Sequence, residues 1–139
     1  GKSEKLDVLA AINYCFDELN VKDLYLIGWS FGTELALQYG RDKRIKELIL
    51  LSPPMLSTTQ DDLDFWAKDG RPITALIPEL DEYLTPEAAK KRFASISNLK
   101  QIDVKDAKHL WVGEPMVHLV LSEIVKIIAP SRLPLPTQI

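Results

Sequence analysis

A serine, a histidine and a carboxylate, scattered along this chain, are the residue types that could together split an acyl bond. A serine hydroxyl is a poor nucleophile at neutral pH and needs a base within hydrogen-bond reach. A histidine acting as that base needs a carboxylate to fix its tautomer and to stabilise the imidazolium it becomes. Ser30 stands out for its bracket. Gly28-Trp29-Ser30-Phe31-Gly32 follows the apolar run Leu24–Ile27 and precedes a helical pattern. Strand, sharp turn and helix in so few residues put the middle residue in a strained backbone position. A side chain at 28 or 32 is expected to collide with the adjoining strand and helix, which accounts for glycine at both. The Ser30 hydroxyl then stands at the carboxyl end of a strand, above the amino end of a helix. Gly-x-Ser-x-Gly alone is frequent by chance; its flanks give it weight here.

The search for a base is short, because the chain has two histidines. His109 lies in the loop after the fourth strand candidate, at the same sheet edge as Ser30 if the strands are parallel. His118 falls inside the last helix and reads as a helical residue without a chemical role. Carboxylates at that edge are Glu79, Asp81 and Glu82 after the third strand candidate, and Asp106 in the histidine's own loop. Asp81 sits a short turn past its strand, from where it can swing back toward His109. Glu82 stands behind it as the fallback, and Asp106 reads as a loop cap.

The elements that must hold these residues alternate. Ser3 reads as an N-cap, and Leu9, Ile12, Phe16 and Leu19 recur at helical spacing, with Leu6 and Cys15 beside them and Asn20 as C-cap. Leu24–Ile27 reads as a buried parallel strand covered on both faces. A helix with Leu35, Ala36 and Leu37 stops at Gly40. The charged connection Arg41–Arg44 leads to a second strand, Leu48–Leu51, ended by Ser52-Pro53-Pro54. A polar excursion over 55–71 carries a short helix around Asp61–Lys68, whose Phe65 and Trp66 either dock it onto the body, the favoured reading, or shape a substrate entrance. Ile73–Ile77 is the third strand. Thr85 as N-cap and Pro86 in the first turn start a helix running to about Ala94. Leu99–Val104 is a weaker fourth strand. Pro115 opens the last helix, with Val117, Val120, Leu121, Ile124 and Ile128 on one face, and Pro130 closes it. The predicted fold is three-layer α/β: a parallel sheet of about four strands, side by side in chain order, with helices on both faces. Residues 1–129 form the domain and 130–139 a proline-containing tail, extended or disordered.

Serine, acid and histidine occur in the order Ser30, Asp81, His109, each after a different strand. That order, with the elbow Leu24–Gly32, the loop around Asp81 and the stretch Asp106-Ala107-Lys108-His109, resembles the alpha/beta-hydrolase family, specifically the C-terminal half of its core. The resemblance covers nearly the whole chain to Ala129. Thr33 departs from the further glycine that many members carry after the elbow. The resemblance implies a serine hydrolase acting on a carboxylic ester or similar small acyl compound. Ser30 would be the nucleophile, His109 the base, Asp81 its orienting acid, and the Phe31 N–H an oxyanion donor, without cofactor or metal. The family's elbow strand is flanked by further strands, for which the roughly 20 residues before Leu24 leave no room. The second oxyanion donor then has no source, and Leu24–Ile27 becomes a bare sheet edge that invites pairing. The expectation is a piece of a longer hydrolase, or a sheet completed by an N-terminal segment or by self-association. The alternative is a catalytically weak hydrolase-like module that binds a partner.

Composition narrows the remaining classes. The net charge of −3 over 139 residues gives no nucleic-acid footprint. Cys15 is the one cysteine, which excludes an internal disulfide and a thiolate metal cluster. No apolar run reaches the ~20 residues that span a bilayer. No signal peptide opens the chain, and a cytoplasmic location is expected.

Overall fold

Three largely apolar runs and a fourth, alternating segment form the sheet, the runs because each can be buried against its neighbours. The computed structural model describes residues 3–136. Its strands are β1 (Leu24–Trp29), β2 (Ile45–Leu51), β3 (Ile73–Pro78) and β4 (Leu99–Val104). All pairings are parallel and the order is β1-β2-β3-β4, the predicted chain order. Gly28 lies beside Leu50, Leu51 beside Leu76, and Leu76 beside Ile102. The central strand β3 is buried at every residue.

Helices α1 (Glu4–Asp17), α2 (Phe31–Tyr39), α3 (Gln60–Asp69) and α4 (Pro86–Arg92) share one face. There Ile12, Leu37, Trp66 and Ala89 pack with Leu48, Leu50, Ala75 and Ile77 in one core. Right-handed crossovers that step in one direction put their helices on the same side. Helix α5 (Glu114–Ile128) follows the last strand and folds to the other face, where Val120 and Ile124 meet Ile49, Leu51, Leu76 and Val104. The sheet is thus covered on both faces, as predicted, but unequally.

The inequality explains where the sequence reading overstated burial. Strand β1 was expected to be covered on both sides. It is the sheet edge, and α5 does not reach across it, so Ile27 and Trp29 are 42 % and 50 % exposed. On α5 itself Val117, Leu121 and Ile128 stay largely exposed. In α1 only Ile12 is buried, Leu6 is exposed and Cys15 is half-buried; Leu19, expected on the same face, lies past the helix end and is exposed. Ser3 has helical backbone and makes no side-chain cap. Asn20, with φ 52°, lies past the C-cap residue Glu18.

Other local signals hold. The short helix expected around Asp61–Lys68 is α3, closed at its start by a capping box of Thr59 and Asp62 that the sequence reading did not name. Thr85 caps α4, with Pro86 first in the helix. Trp66 is fully buried, its Nε1 donating to the Leu37 carbonyl at 2.8 Å, so α3 is docked as expected. Pro130 ends α5 and also starts a 3-10 turn, Pro130–Arg132, where an extended or disordered tail was expected. Residues 137–139 of that tail lie outside the described residues. No helix among the described residues is long and apolar enough to cross a membrane.

Candidate functional site

The residues past the strand ends are held by the strand next door. The Ser30 N–H donates to the Leu51 carbonyl at 2.9 Å, Ser52 to Leu76 at 3.0 Å, and Glu79 to Val104 at 2.9 Å. Leu80 then donates to Ala107 at 2.9 Å, joining the third loop to the fourth. The ladder of the sheet therefore continues as a staircase along its carboxyl rim. Strain gathers on these steps. Ser30 (φ 50°), Ser52 (φ 48°), Asp106 (φ 57°) and Trp111 (φ 52°) all occupy positive φ, which residues with a Cβ rarely adopt.

At Ser30 (φ 50°, ψ −123°) the chain passes from β1 directly into α2. The two bracketing glycines serve different ends. A Cβ on Gly28 would lie 2.6 Å from the Gly32 carbonyl carbon and from the Thr33 nitrogen, so glycine is required there by the close approach of helix to strand. A Cβ on Gly32 would meet nothing within 4 Å, which corrects the expected collision at that position. What matters at Gly32 is its backbone, the surface against which Gly28 packs. Thr33, the departure noted in the sequence, is buried and binds the Ser30 carbonyl twice, through its hydroxyl at 2.6 Å and its N–H at 2.9 Å.

The structure brings Ser30, His109 and Asp81 into one chain of hydrogen bonds. Ser30 Oγ lies 2.7 Å from His109 Nε2, and His109 Nδ1 lies 2.9 Å from Asp81 Oδ2. An ionised carboxylate only accepts, so Nδ1 carries the proton and Nε2 is left to accept from the Ser30 hydroxyl. The His109 and Asp81 side chains are 6 % and 1 % exposed. The second Asp81 oxygen accepts from the N–H groups of Tyr83 at 2.8 Å and Leu84 at 3.4 Å, which fixes the carboxylate plane. Tyr83 also sets its ring edge-on to the imidazole, with centroids 4.8 Å apart.

The other candidates take different places. Glu79 accepts from the Asp106 N–H at 2.9 Å and so ties the acid's loop to the histidine's. Glu82 is exposed. His118 sits half-buried on α5, outside the hydrogen-bonded chain. Phe31 is the first residue of α2, and the N–H of a first helical residue has no acceptor within its own helix. Phe31 is 47 % exposed, as are Leu80 (53 %), Tyr83 (51 %) and Leu110 (61 %) around the same rim. No group of His, Cys, Asp or Glu among the described residues could hold a metal ion.

Sequence reasoning missed Ser52 and Trp29. Both donate to the His109 main-chain carbonyl, Ser52 Oγ at 2.9 Å and Trp29 Nε1 at 3.3 Å. A signal existed for Ser52, the first residue past β2 at the rim that holds Ser30, but it was read only as the end of a strand. An apolar hollow of about 180 Å³ adjoins this point, lined by Trp29, Leu110, Trp111 and Val117 among others. A wider cleft of about 720 Å³, lined by Lys5, Gln38, Arg41 and Thr59 among others, includes none of the three bonded side chains.

Comparison with known proteins agrees with this architecture. The sequence model of a family described as alpha/beta hydrolase fold matches residues 3–75. An alpha-beta serine hydrolase homologue from Coxiella burnetii superposes with a TM-score of 0.75 at 20 % identity, over 91 % of this chain and 59 % of its own. A cold-adapted esterase from an Arctic intertidal metagenomic library gives 0.69 at 20 % identity, over 89 % and 57 %. An a/b serine hydrolase without lid from Xanthomonas campestris gives 0.69 at 19 % identity, over 88 % and 56 %. This chain thus spans less than two thirds of each of these structures. No match is found among curated proteins.

Proposed function

The chain belongs to the alpha/beta-hydrolase fold family, and from that premise we propose that it is a serine hydrolase cleaving a carboxylic ester or similar acyl substrate. The observation that carries the reading is the bonded series Ser30–His109–Asp81, drawn from the loops after β1, β4 and β3. As His109 Nε2 takes the hydroxyl proton, Ser30 Oγ attacks the carbonyl carbon, and the carbonyl oxygen becomes an oxyanion. Asp81 Oδ2 stabilises the imidazolium and keeps its Nδ1–H in place. Collapse of the tetrahedral species breaks the bond to the leaving oxygen, which receives the proton from Nε2. Water then repeats the sequence on the acyl-Ser30 ester, giving up a proton to Nε2 and releasing the acid and free Ser30.

The Phe31 N–H is the proposed oxyanion donor, at the positive end of α2. One donor is worth about 10²- to 10³-fold in rate, so a second is expected. The exposed β1 edge beside Ser30 is where a further segment or a second copy would bring it. We therefore place the activity in a sheet completed at β1. The residues around the rim leave the serine accessible, which suits a small acyl substrate. A second reading, an interaction module with little catalysis, is favoured by the apolar β1 edge, with Ile27 and Trp29 exposed.

Fluorophosphonate labelling separates the two. The hydrolase reading expects one adduct on Ser30, detected by intact mass and peptide mapping, and its loss in Ser30→Ala and His109→Ala. An unlabelled native chain, with folding checked by circular dichroism, speaks for the interaction module or for a site still incomplete at β1.

A further inference from the structure

His109 carries the proton in the proposed cycle, yet it sits in the loop 105–113, which has neither helix nor ladder to hold it. Its ring is fixed at Nδ1 by Asp81 and at Nε2 by Ser30. The second of these bonds is lost whenever Ser30 is acylated, so ring contacts alone cannot hold the imidazole through a whole turnover. A fixture that persists must act on the backbone. The His109 carbonyl is where two such donors meet: Ser52 Oγ at 2.9 Å and Trp29 Nε1 at 3.3 Å.

Ser52 is fully buried and occupies φ 48°, a conformation glycine would adopt at lower cost. A strained, buried serine whose hydroxyl is spent on this one carbonyl points to a role for the hydroxyl rather than for the turn. Its place fits. Trp29 pairs with Leu51 in the sheet, so Ser30 and Ser52 are neighbouring steps on the rim. The Ser52 N–H is itself anchored on the Leu76 carbonyl at 3.0 Å. The histidine loop is thus tied to the ends of β1 and β2 through its main chain.

We propose that Ser52, with Trp29 as the second donor, is a positioning residue that holds His109 in register with Ser30 through the His109 main-chain carbonyl. The kinetic part of this proposal rests on the serine-hydrolase reading; the structural part does not. In this proposal each acts through the loop, by way of the His109 carbonyl.

The test uses Ser52→Gly, Trp29→Phe and their combination in the full chain. Glycine removes the hydroxyl but suits the positive φ, so the melting temperature of Ser52→Gly is expected to hold. On a p-nitrophenyl ester, kcat is expected to fall about tenfold for Ser52→Gly and about 100-fold for the double variant, with KM unchanged, the scale of a catalytic group displaced by up to 1 Å. A second readout needs no turnover. In a His118→Gln background, ¹H–¹⁵N imidazole spectra should show a low-field Nδ1–H resonance from the bond to Asp81, which broadens or disappears in the double variant. If that resonance responds while no form of the chain hydrolyses esters, the clamp stands independently of the hydrolase reading. Wild-type kcat together with an unaltered Nδ1–H resonance in the double variant overturns the proposal. So does a loss of kcat that only tracks a falling melting temperature.

Discussion

Replacing each bracketing glycine by alanine should give two very different proteins. Ordinary Cβ contacts fall at 3.4–4 Å, and a Cβ on Gly28 would stand 2.6 Å from the Gly32 carbonyl carbon and the Thr33 nitrogen. Both are backbone atoms, so no side-chain rotation can relieve the contact, and α2 must lift from β1 by about 1 Å. Overpacking of this kind costs about 1–3 kcal/mol, occasionally more. Ser30 lies within the displaced turn, so its hydroxyl leaves His109 Nε2 and reactivity should fall by about 100-fold. Gly32→Ala meets open space and lies in the first turn of α2, where alanine is the better helix former by up to ~1 kcal/mol. Its stability should match or slightly exceed the parent's. Urea unfolding gives the midpoints, and the rate of fluorophosphonate labelling reports the serine. Equal midpoint shifts for the two variants, or an unperturbed Gly28→Ala, would refute the claim that the close approach is made by residue 28 against the backbone of residue 32.

The remaining predictions concern the far end of the sheet and the α3 dock. Arg71 donates to the carbonyls of Asp42 at 2.6 Å, Ile45 at 3.0 Å and Arg41 at 3.3 Å, pairs with Asp69, and stacks on Trp66 with its guanidinium carbon 4.8 Å from the ring centre. Lysine cannot reproduce that fork, and Arg71→Lys should cost ~2–3 kcal/mol in denaturant unfolding. The hydrogen bond from Arg71 holds the Asp69 carboxyl below its ordinary value of 3.8. A folded-state pKa below the unfolded one contributes stability above the unfolded value, and this is lost as pH falls through the folded value. The acid limb of the stability curve should therefore flatten in Asp69→Asn, as measured by melting between pH 5 and pH 2. Trp66→Phe should cost ~1–3 kcal/mol by leaving the Leu37 carbonyl, in the last turn of α2, without its buried donor; a melting temperature equal to the parent's would contradict this.

Much of the fold was legible because β1, β2 and β3 carry largely apolar stretches, Leu24–Ile27, Leu48–Leu51 and Ile73–Ile77, that suit a sheet. Leu99–Val104 was found to the residue although it alternates more than the others. The strand order followed from crossover handedness, and Ser30, Asp81 and His109 from the rule that loops at one end of a parallel sheet converge. What the sequence could not convey was which faces receive a partner. Val117, Val120, Leu121, Ile124 and Ile128 look alike on a helical projection, but only Val120 and Ile124 are buried under the sheet. Gly32 looks like Gly28, and only the packing of α2 on β1 tells them apart. Among the carboxylates, Asp81 was chosen from its place a short turn past β3; what the sequence could not show is that Glu79 is taken up by the Asp106 main-chain N–H.

The reach of the site has a geometric consequence. Neighbouring strands stand ~4.8 Å apart, so β1 and β4, with two strands between them, are separated by ~14 Å. An imidazole and a serine side chain together span far less than that. The loop after β4 must therefore travel back across the ends of β3 and β2 before His109 can reach Ser30. Its backbone loses the support of its own strand on the way, and carbonyls that would have been paired in the sheet need new donors under the loop. Those donors are what the rim supplies: the Leu80 N–H for Ala107, and Ser52 Oγ and Trp29 Nε1 for His109. The strand between the serine and the acid gives no member of the bonded series. Its first rim residue instead supports the loop that has to cross above it. In a parallel sheet that draws Ser30, Asp81 and His109 from its first, third and fourth strands, the end of the second strand lies under the crossing loop, and Ser52 places a donor there.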